Sequence, residues 1–159
     1  MKIFTIGVYG MTEQQFFSAL IEHNIDVFCD VRQRRGVRGR LYTFANSLYL
    51  QERLKRLGIN YLYEKNLAPT KEIREKQWEV DKTNHLTKKC RSVLGNAFVK
   101  CYCEKVLESF DFNDFKSRLE DLSAKNVVIF CVESNHNACH RSLLAKKMQE
   151  LYNCEVINL

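Results

Sequence analysis

Residues 127–152 read VVIFCVESNHNACHRSLLAKKMQELY and contain the clearest βα unit of the chain. The uninterrupted apolar run Val127–Val132 predicts a strand that is buried on both faces. A polar turn follows it, and Cys139–Tyr152 then places Leu144 and Met148 at helical spacing. A buried strand that leads directly into a helix is typical of a parallel sheet covered by helices.

The rest of the chain repeats this alternation. Further strands are predicted at Lys2–Gly7, Ile25–Val31, Ile59–Glu64 and Glu155–Asn158. Further helices are predicted after the caps Thr12 and Asn46 and over Lys71–Lys82, Ala97–Ser109 and Asn113–Ser123, while residues 32–45 are predicted to be a loop. We therefore expect an α/β fold in one domain, residues 1–159: a three-layer α/β/α sandwich with a mostly parallel sheet of about five strands.

Composition limits the function classes. The 159 residues are 45% hydrophobic, which suffices for one core and excludes a disordered or fibrous chain. No apolar run approaches the ~18 residues of a membrane span, and the first residues lack the features of a signal peptide. Seven cysteines, an odd number, argue against a disulfide framework. We expect a cytoplasmic protein without a membrane partner, and its net charge of +6 permits an anionic one.

Polar residues follow several of the predicted strands. Gly7 ends the first strand, Asp30 and Arg32 lie at the end of the second, and Cys131 and Glu133 lie at the end of the strand at 127–132. In an open parallel sheet, ligands bind at the carboxyl ends of the strands. These residues are therefore predicted to share one edge of the sheet.

The loop DVRQRRGVRGR, residues 30–40, is rich in arginine. Its guanidinium groups match the geometry of phosphate oxygens, and their mutual repulsion would be relieved by an anion. A solvated basic loop, and an Asp30–Arg32 ion pair, are alternative interpretations. So is a non-catalytic module that binds nucleic acid through residues 32–40, with Tyr42 and Phe44 stacking on bases. The arginines concerned are Arg32, Arg34, Arg35, Arg38 and Arg40.

The turn before the last helix contains candidate catalytic groups. Cys139 lies at the predicted helix start beside His140 and Arg141, where its pKa should be lowered, so it is the preferred nucleophile. Cys131 is expected to be more buried, and Glu133 to orient Arg141 or to transfer protons. A zinc-stabilised domain is an alternative, although the spacing of its ligands is not a standard zinc pattern and adjacent Cys-His ligands strain tetrahedral geometry. Its ligands would be Cys131, His136, Cys139 and His140.

Several short motifs recur together in a known family. They are TIG at Thr5–Gly7, DVR at Asp30–Arg32, LGINY at Leu57–Tyr61, CVE at Cys131–Glu133 and CHRS at Cys139–Ser142. A sequence that carries these motifs in this order, over nearly the whole chain, resembles the domain of unknown function 488 family. The resemblance implies a compact cytosolic α/β domain whose motif positions here are Asp30, Arg32, Cys131, Glu133, Cys139, His140 and Arg141.

The sequence thus predicts an anion site at the carboxyl edge of the sheet, for a nucleotide, nucleic acid or other phosphate-bearing ligand. Arg32 and Arg141 are predicted to hold the anion together. The predicted ligand-binding set is completed by Arg40, Cys131, His140 and Gly7, and the predicted catalytic set is Cys139, Glu133 and Asp30. No cofactor is predicted, and the sequence leaves open whether the protein is an enzyme.

Overall fold

Strands and helices alternate along the chain in the computed structural model, which describes residues 1–37, 39–87 and 90–159. The strands are β1 (Lys2–Ile6), β2 (Val27–Asp30), β3 (Asn60–Tyr63), β4 (Asn126–Phe130) and β5 (Glu155–Asn158). The helices are α1 (Glu13–Glu22), α2 (Ser47–Arg56), α3 (Lys71–Thr83), α4 (Asn96–Tyr102), α5 (Phe112–Asp121) and α6 (His140–Tyr152). A π-helical turn, Cys103–Leu107, continues α4. The predicted elements are therefore present, with ends that differ by a few residues.

The five strands form one sheet in the order β3-β2-β4-β1-β5, and each neighbouring pair is parallel. Phe4 of β1 lies opposite Val128 of β4, which in turn lies opposite Phe28 of β2. The α/β class and the parallel sheet are thus confirmed. Because all the strands point the same way, their carboxyl ends lie along a single edge.

Helices cover both faces of this sheet. The chain moves toward one edge from β1 to β3 and toward the other from β3 to β5, so right-handed crossovers place α1 and α2 opposite α3–α6. On one face Phe16 of α1 packs against Phe28 and Phe130, and on the other α6 contacts β1, β4 and β5. Within the described ranges, no helix has both the length and the apolar character that crossing a membrane requires.

The segment before α2 is more ordered than the predicted loop. Arg40–Ala45 forms a kinked 3₁₀ helix, interrupted at Tyr42 by non-helical backbone angles. Asn46 precedes α2 as predicted, but its side chain does not cap the helix. Instead, its Oδ1 accepts a hydrogen bond from the backbone N–H of Val37 at 2.7 Å. Ser47 N–H also donates to the carbonyl of Arg35 at 3.0 Å, so the start of α2 holds the loop that follows β2.

Candidate functional site

A cavity of about 500 Å³ opens at the carboxyl edge of the sheet. It is lined by residues of the loops that follow β1, β2 and β4, and by one side of α3. Its more exposed part, here called the mouth, includes Arg34, Arg74 and Trp78. Its buried part, here called the inner end, consists of Cys131, Glu133, Cys139 and His140. A volume of this size is usual for a small-molecule site.

The inner end forms a network of hydrogen-bonding groups. The Cys131 thiol donates to Glu133 Oε2 at 3.1 Å. His140 Nδ1 lies 4.0 Å from Cys131 Sγ and 3.8 Å from Cys139 Sγ. His140 Nε2 lies 3.1 Å from the carbonyl oxygen of Val31. Because a carbonyl only accepts, Nε2 carries a proton, and Nδ1 faces the two sulfurs.

The pKa values of the two cysteines at the inner end are shifted in opposite directions. The hydrogen bond with Cys139, with help from His140, lowers the pKa of Cys131 to about 6 against the effects of burial and of Glu133. Burial, followed by the neighbouring Cys131, raises the pKa of Cys139 well above its usual range. The prediction of a lowered pKa for Cys139 is therefore wrong, because this residue is buried beneath the start of α6 rather than exposed at it.

Glu133 is held by a residue that the sequence did not mark as functional. Arg91 lies between α3 and α4 and is buried. Its guanidinium pairs with Asp81 of α3 at 2.7 Å and approaches Glu133 Oε1 at 3.7 Å. It also donates to the carbonyl of Ala138 at 3.0 Å. Asp81 and Arg91 thus fix the position of the Glu133 carboxylate.

Arg32 lines the cavity but is engaged by Asp30. Its Nε and Nη2 donate to the two Asp30 carboxylate oxygens at 2.9 and 2.7 Å, and its Nη1 donates to the carbonyl of Ala45 at 2.9 Å. The hydroxyl of Tyr61 donates to the same carboxylate at 2.8 Å. Only 3% of Arg32 is exposed. The ion pair that the sequence suggested as an alternative is therefore formed.

Arg141 is 1% exposed and lies outside the lining of the cavity. Its Nη1 donates to the carbonyl of Glu133, and its Nη2 to that of Ser134 at 2.9 Å. Its Nε donates to the Thr5 hydroxyl at 3.4 Å. These contacts make Arg141 a support for the loop after β4, so it does not share a bound anion with Arg32 in this arrangement.

Two more predicted ligand-binding residues lie away from the cavity. Gly7 lies beneath the loop after β4, where an added Cβ would be 1.9 Å from the carbonyl oxygen of Glu133. Arg40 is exposed at the start of its 3₁₀ helix and does not line the cavity.

Among the other arginines of the loop, Arg35 stacks on the ring of Tyr63, with Cζ 4.2 Å from the ring centroid. Arg38 lies outside the described residues.

The inner end also contains the side chains that could ligate a metal ion. The ligand atoms of Cys131, Cys139 and His140 all lie within 4.8 Å of one another. His136, which the sequence included in its zinc alternative, is not part of this group. Cysteine and histidine together favour Zn²⁺ and similar soft cations.

The sequence model of one family, described as a domain of unknown function, DUF488, matches residues 12–148. The chain belongs to the DUF488 family. This confirms the family resemblance, and the matched DUF488 region contains Asp30, Glu133 and the cavity-lining part of α3. No curated protein and no solved structure is significantly similar to this DUF488 chain.

Proposed function

We propose that this protein is an enzyme that binds a small phosphate-bearing molecule of the nucleotide class in the cavity, with the reacting group at the inner end. One observation carries this proposal. Four arginines line the cavity, but Asp30 neutralises Arg32 and Asp81 neutralises Arg91. Arg34 and Arg74 have no acidic partner among the described residues, so the uncompensated positive charge lies at the mouth.

The mouth also supports binding of an aromatic ring. Arg74 and Trp78 are four residues apart on α3, so they lie on one face of that helix. Trp78 is 56% exposed although it is the largest apolar side chain of the lining. A nucleobase stacked on this indole would leave its phosphates within reach of the arginines at the mouth. Tyr9 and Tyr42 line the cavity too, with ring centroids 5.2 Å apart.

A small ligand fits this arrangement better than a nucleic-acid strand does. A strand follows a continuous row of exposed cations. Among the described arginines of the loop, Arg32 is buried with Asp30 and Arg35 stacks on Tyr63, which leaves Arg34 and Arg40 exposed. The described arginines of the loop therefore lie in the core, in the cavity and on the surface, and they do not form such a row.

Trp78 is the single tryptophan of the chain, so its fluorescence reports on the mouth directly. We expect adenosine and guanosine triphosphates to quench it saturably, with an affinity that falls as salt is raised. Replacing both Arg34 and Arg74 by alanine should weaken binding by at least about 10-fold, which is the loss of one charge-assisted contact. The matched control, Arg40→Ala, should bind as the wild type does.

Three results would overturn this proposal. The first is the absence of quenching by any nucleotide at low salt. The second is an equal loss of affinity in Arg40→Ala. The third is saturable binding of a single-stranded oligonucleotide that mononucleotides do not displace, which would favour the nucleic-acid module instead.

A further inference from the structure

The histidine nitrogen at the inner end lies at nearly the distance from each cysteine sulfur that an occupied metal site requires. A zinc ion lies about 2.3 Å from cysteine sulfur and about 2.0–2.1 Å from histidine nitrogen, so tetrahedral ligand atoms are about 3.5–3.8 Å apart. His140 Nδ1 lies 3.8 Å from Cys139 Sγ and 4.0 Å from Cys131 Sγ. The two nitrogen–sulfur distances are therefore only a few tenths of an ångström longer than in an occupied site, and the two sulfurs lie within 4.8 Å of each other.

The imidazole is already oriented as a ligand. The carbonyl of Val31 accepts a hydrogen bond from Nε2, which leaves Nδ1 facing the two sulfurs. The ring of Tyr102 packs edge-on against the imidazole with centroids 5.4 Å apart, and its hydroxyl is fixed by the carbonyl of Leu67 at 2.7 Å. A backbone carbonyl that holds the second nitrogen is the usual support of a metal-binding histidine.

The backbone explains how adjacent ligands converge. Cys139 precedes α6 in an extended conformation, with φ −135° and ψ 141°, whereas His140 is the first helical residue. The change of backbone conformation between them turns both side chains toward Cys131, which follows β4. The strain expected for a Cys-His pair is thus avoided by placing the pair across a helix start.

We propose that Cys131, Cys139 and His140 bind one soft divalent cation of the Zn²⁺ type, with its fourth position open to the cavity. Both cysteines would bind the ion as thiolates, so their two negative charges would neutralise it inside the protein. The Glu133 carboxylate, already paired with Arg91, is not needed for that neutralisation. Three protein ligands and an open position are typical of a catalytic rather than a structural zinc site.

The Glu133 carboxylate lies beside the proposed site, since its Oε2 is 3.1 Å from Cys131 Sγ. It is suited to accept a proton from a water molecule bound to the ion. This role toward a ligand in the cavity rests on the proposed function, whereas the binding of the ion does not.

The test uses the full chain, freed of metal by a chelator and titrated with Co²⁺. We expect one Co²⁺ per chain, a thiolate-to-cobalt charge-transfer band, and the intense visible absorption of a four-coordinate ion that Zn²⁺ then displaces. Cys131→Ser, Cys139→Ser and His140→Asn should each weaken binding by at least about 100-fold. The matched controls, Cys90→Ser at an exposed thiol and His136→Asn outside the group, should bind normally.

A second measurement needs no variant. In wild-type protein, Zn²⁺ should protect two thiols from alkylation, and peptide mapping should identify them as Cys131 and Cys139. The proposal is overturned by the absence of stoichiometric Co²⁺ binding, by a spectrum without thiolate ligation, by protection of other cysteines, or by loss of binding in His136→Asn. Nucleotide quenching of Trp78 in the metal-free protein is scored separately, so either proposal can fail while the other stands.

Discussion

Replacing Gly7 by alanine tests the packing that brings the inner end together. A Cβ at this position would lie 1.9 Å from the Glu133 carbonyl oxygen and 2.8 Å from its carbonyl carbon. An ordinary carbon–oxygen contact is about 3.3 Å or longer, so the Glu133 peptide would have to move by roughly 1.4 Å. That movement would disrupt the bond from Arg141 to the Glu133 carbonyl. It would also strain the bonds from the N–H groups of Val8 and Tyr9 to the carbonyl of Val132.

The cost follows from these contacts. Overpacking typically costs ~1–3 kcal/mol, and losing a hydrogen bond from a charged donor costs ~1.5–3 kcal/mol. We therefore expect Gly7→Ala to lower the free energy of unfolding by about 3–5 kcal/mol, a large part of the ~5–15 kcal/mol of a typical domain. Urea unfolding followed by circular dichroism measures this change.

Gly36→Ala is the matched control. The nearest atom to a Cβ at position 36 is Asn46 Oδ1 at 3.9 Å, an ordinary contact. This substitution should therefore change the free energy of unfolding by less than about 0.5 kcal/mol. If Gly7→Ala cost less than about 1 kcal/mol, the close approach of β1 and the loop after β4 would not be required, and our account of Gly7 would be refuted.

Two further substitutions test the buried arginine and a helix cap. Arg141→Ala should lower the free energy of unfolding by about 3–5 kcal/mol, because the carbonyls of Glu133 and Ser134 would each lose a hydrogen bond from a charged donor, while exposed Arg40→Ala should change it by less than about 0.5 kcal/mol. Similar urea midpoints for the two variants would contradict a structural role for Arg141. Asp111→Ala should cost about 1 kcal/mol, because Asp111 accepts two backbone N–H groups at the start of α5 at 2.9 and 3.0 Å. Asp121→Ala at the exposed end of α5 is its control, and an equal loss there would refute the capping role.

Local pattern was enough to predict the architecture. The apolar runs around Ile3 and Val128 form strands because each has the length of a typical strand and is buried on both faces of the sheet. Thr12 and Gln15 form the predicted capping box, since that motif needs only neighbouring residues. The Asp30–Arg32 ion pair was foreseen only as an alternative to anion binding, and it was foreseeable because the two residues are two positions apart.

Residues distant in sequence decided the chemistry of the inner end. Arg91 reaches Glu133 only because the segment between α3 and α4 folds against the loop after β4, and no periodicity around Arg91 indicates this contact. Cys139 was expected to be the acidic thiol, but burial under the start of α6 raises its pKa, and Cys131 has the lowered one.

The sequence by itself therefore determined the order of strands and helices, the parallel class of the sheet and the identity of the residues at its carboxyl edge. Only the tertiary structure decided which of those residues are available to a ligand. Arg32 and Arg141 are neutralised or saturated within the protein, while Arg34 and Arg74 remain free of acidic partners among the described residues. The physical reason is that burial and charge pairing depend on contacts between distant segments, whereas helix and strand formation depend mainly on neighbours in the chain.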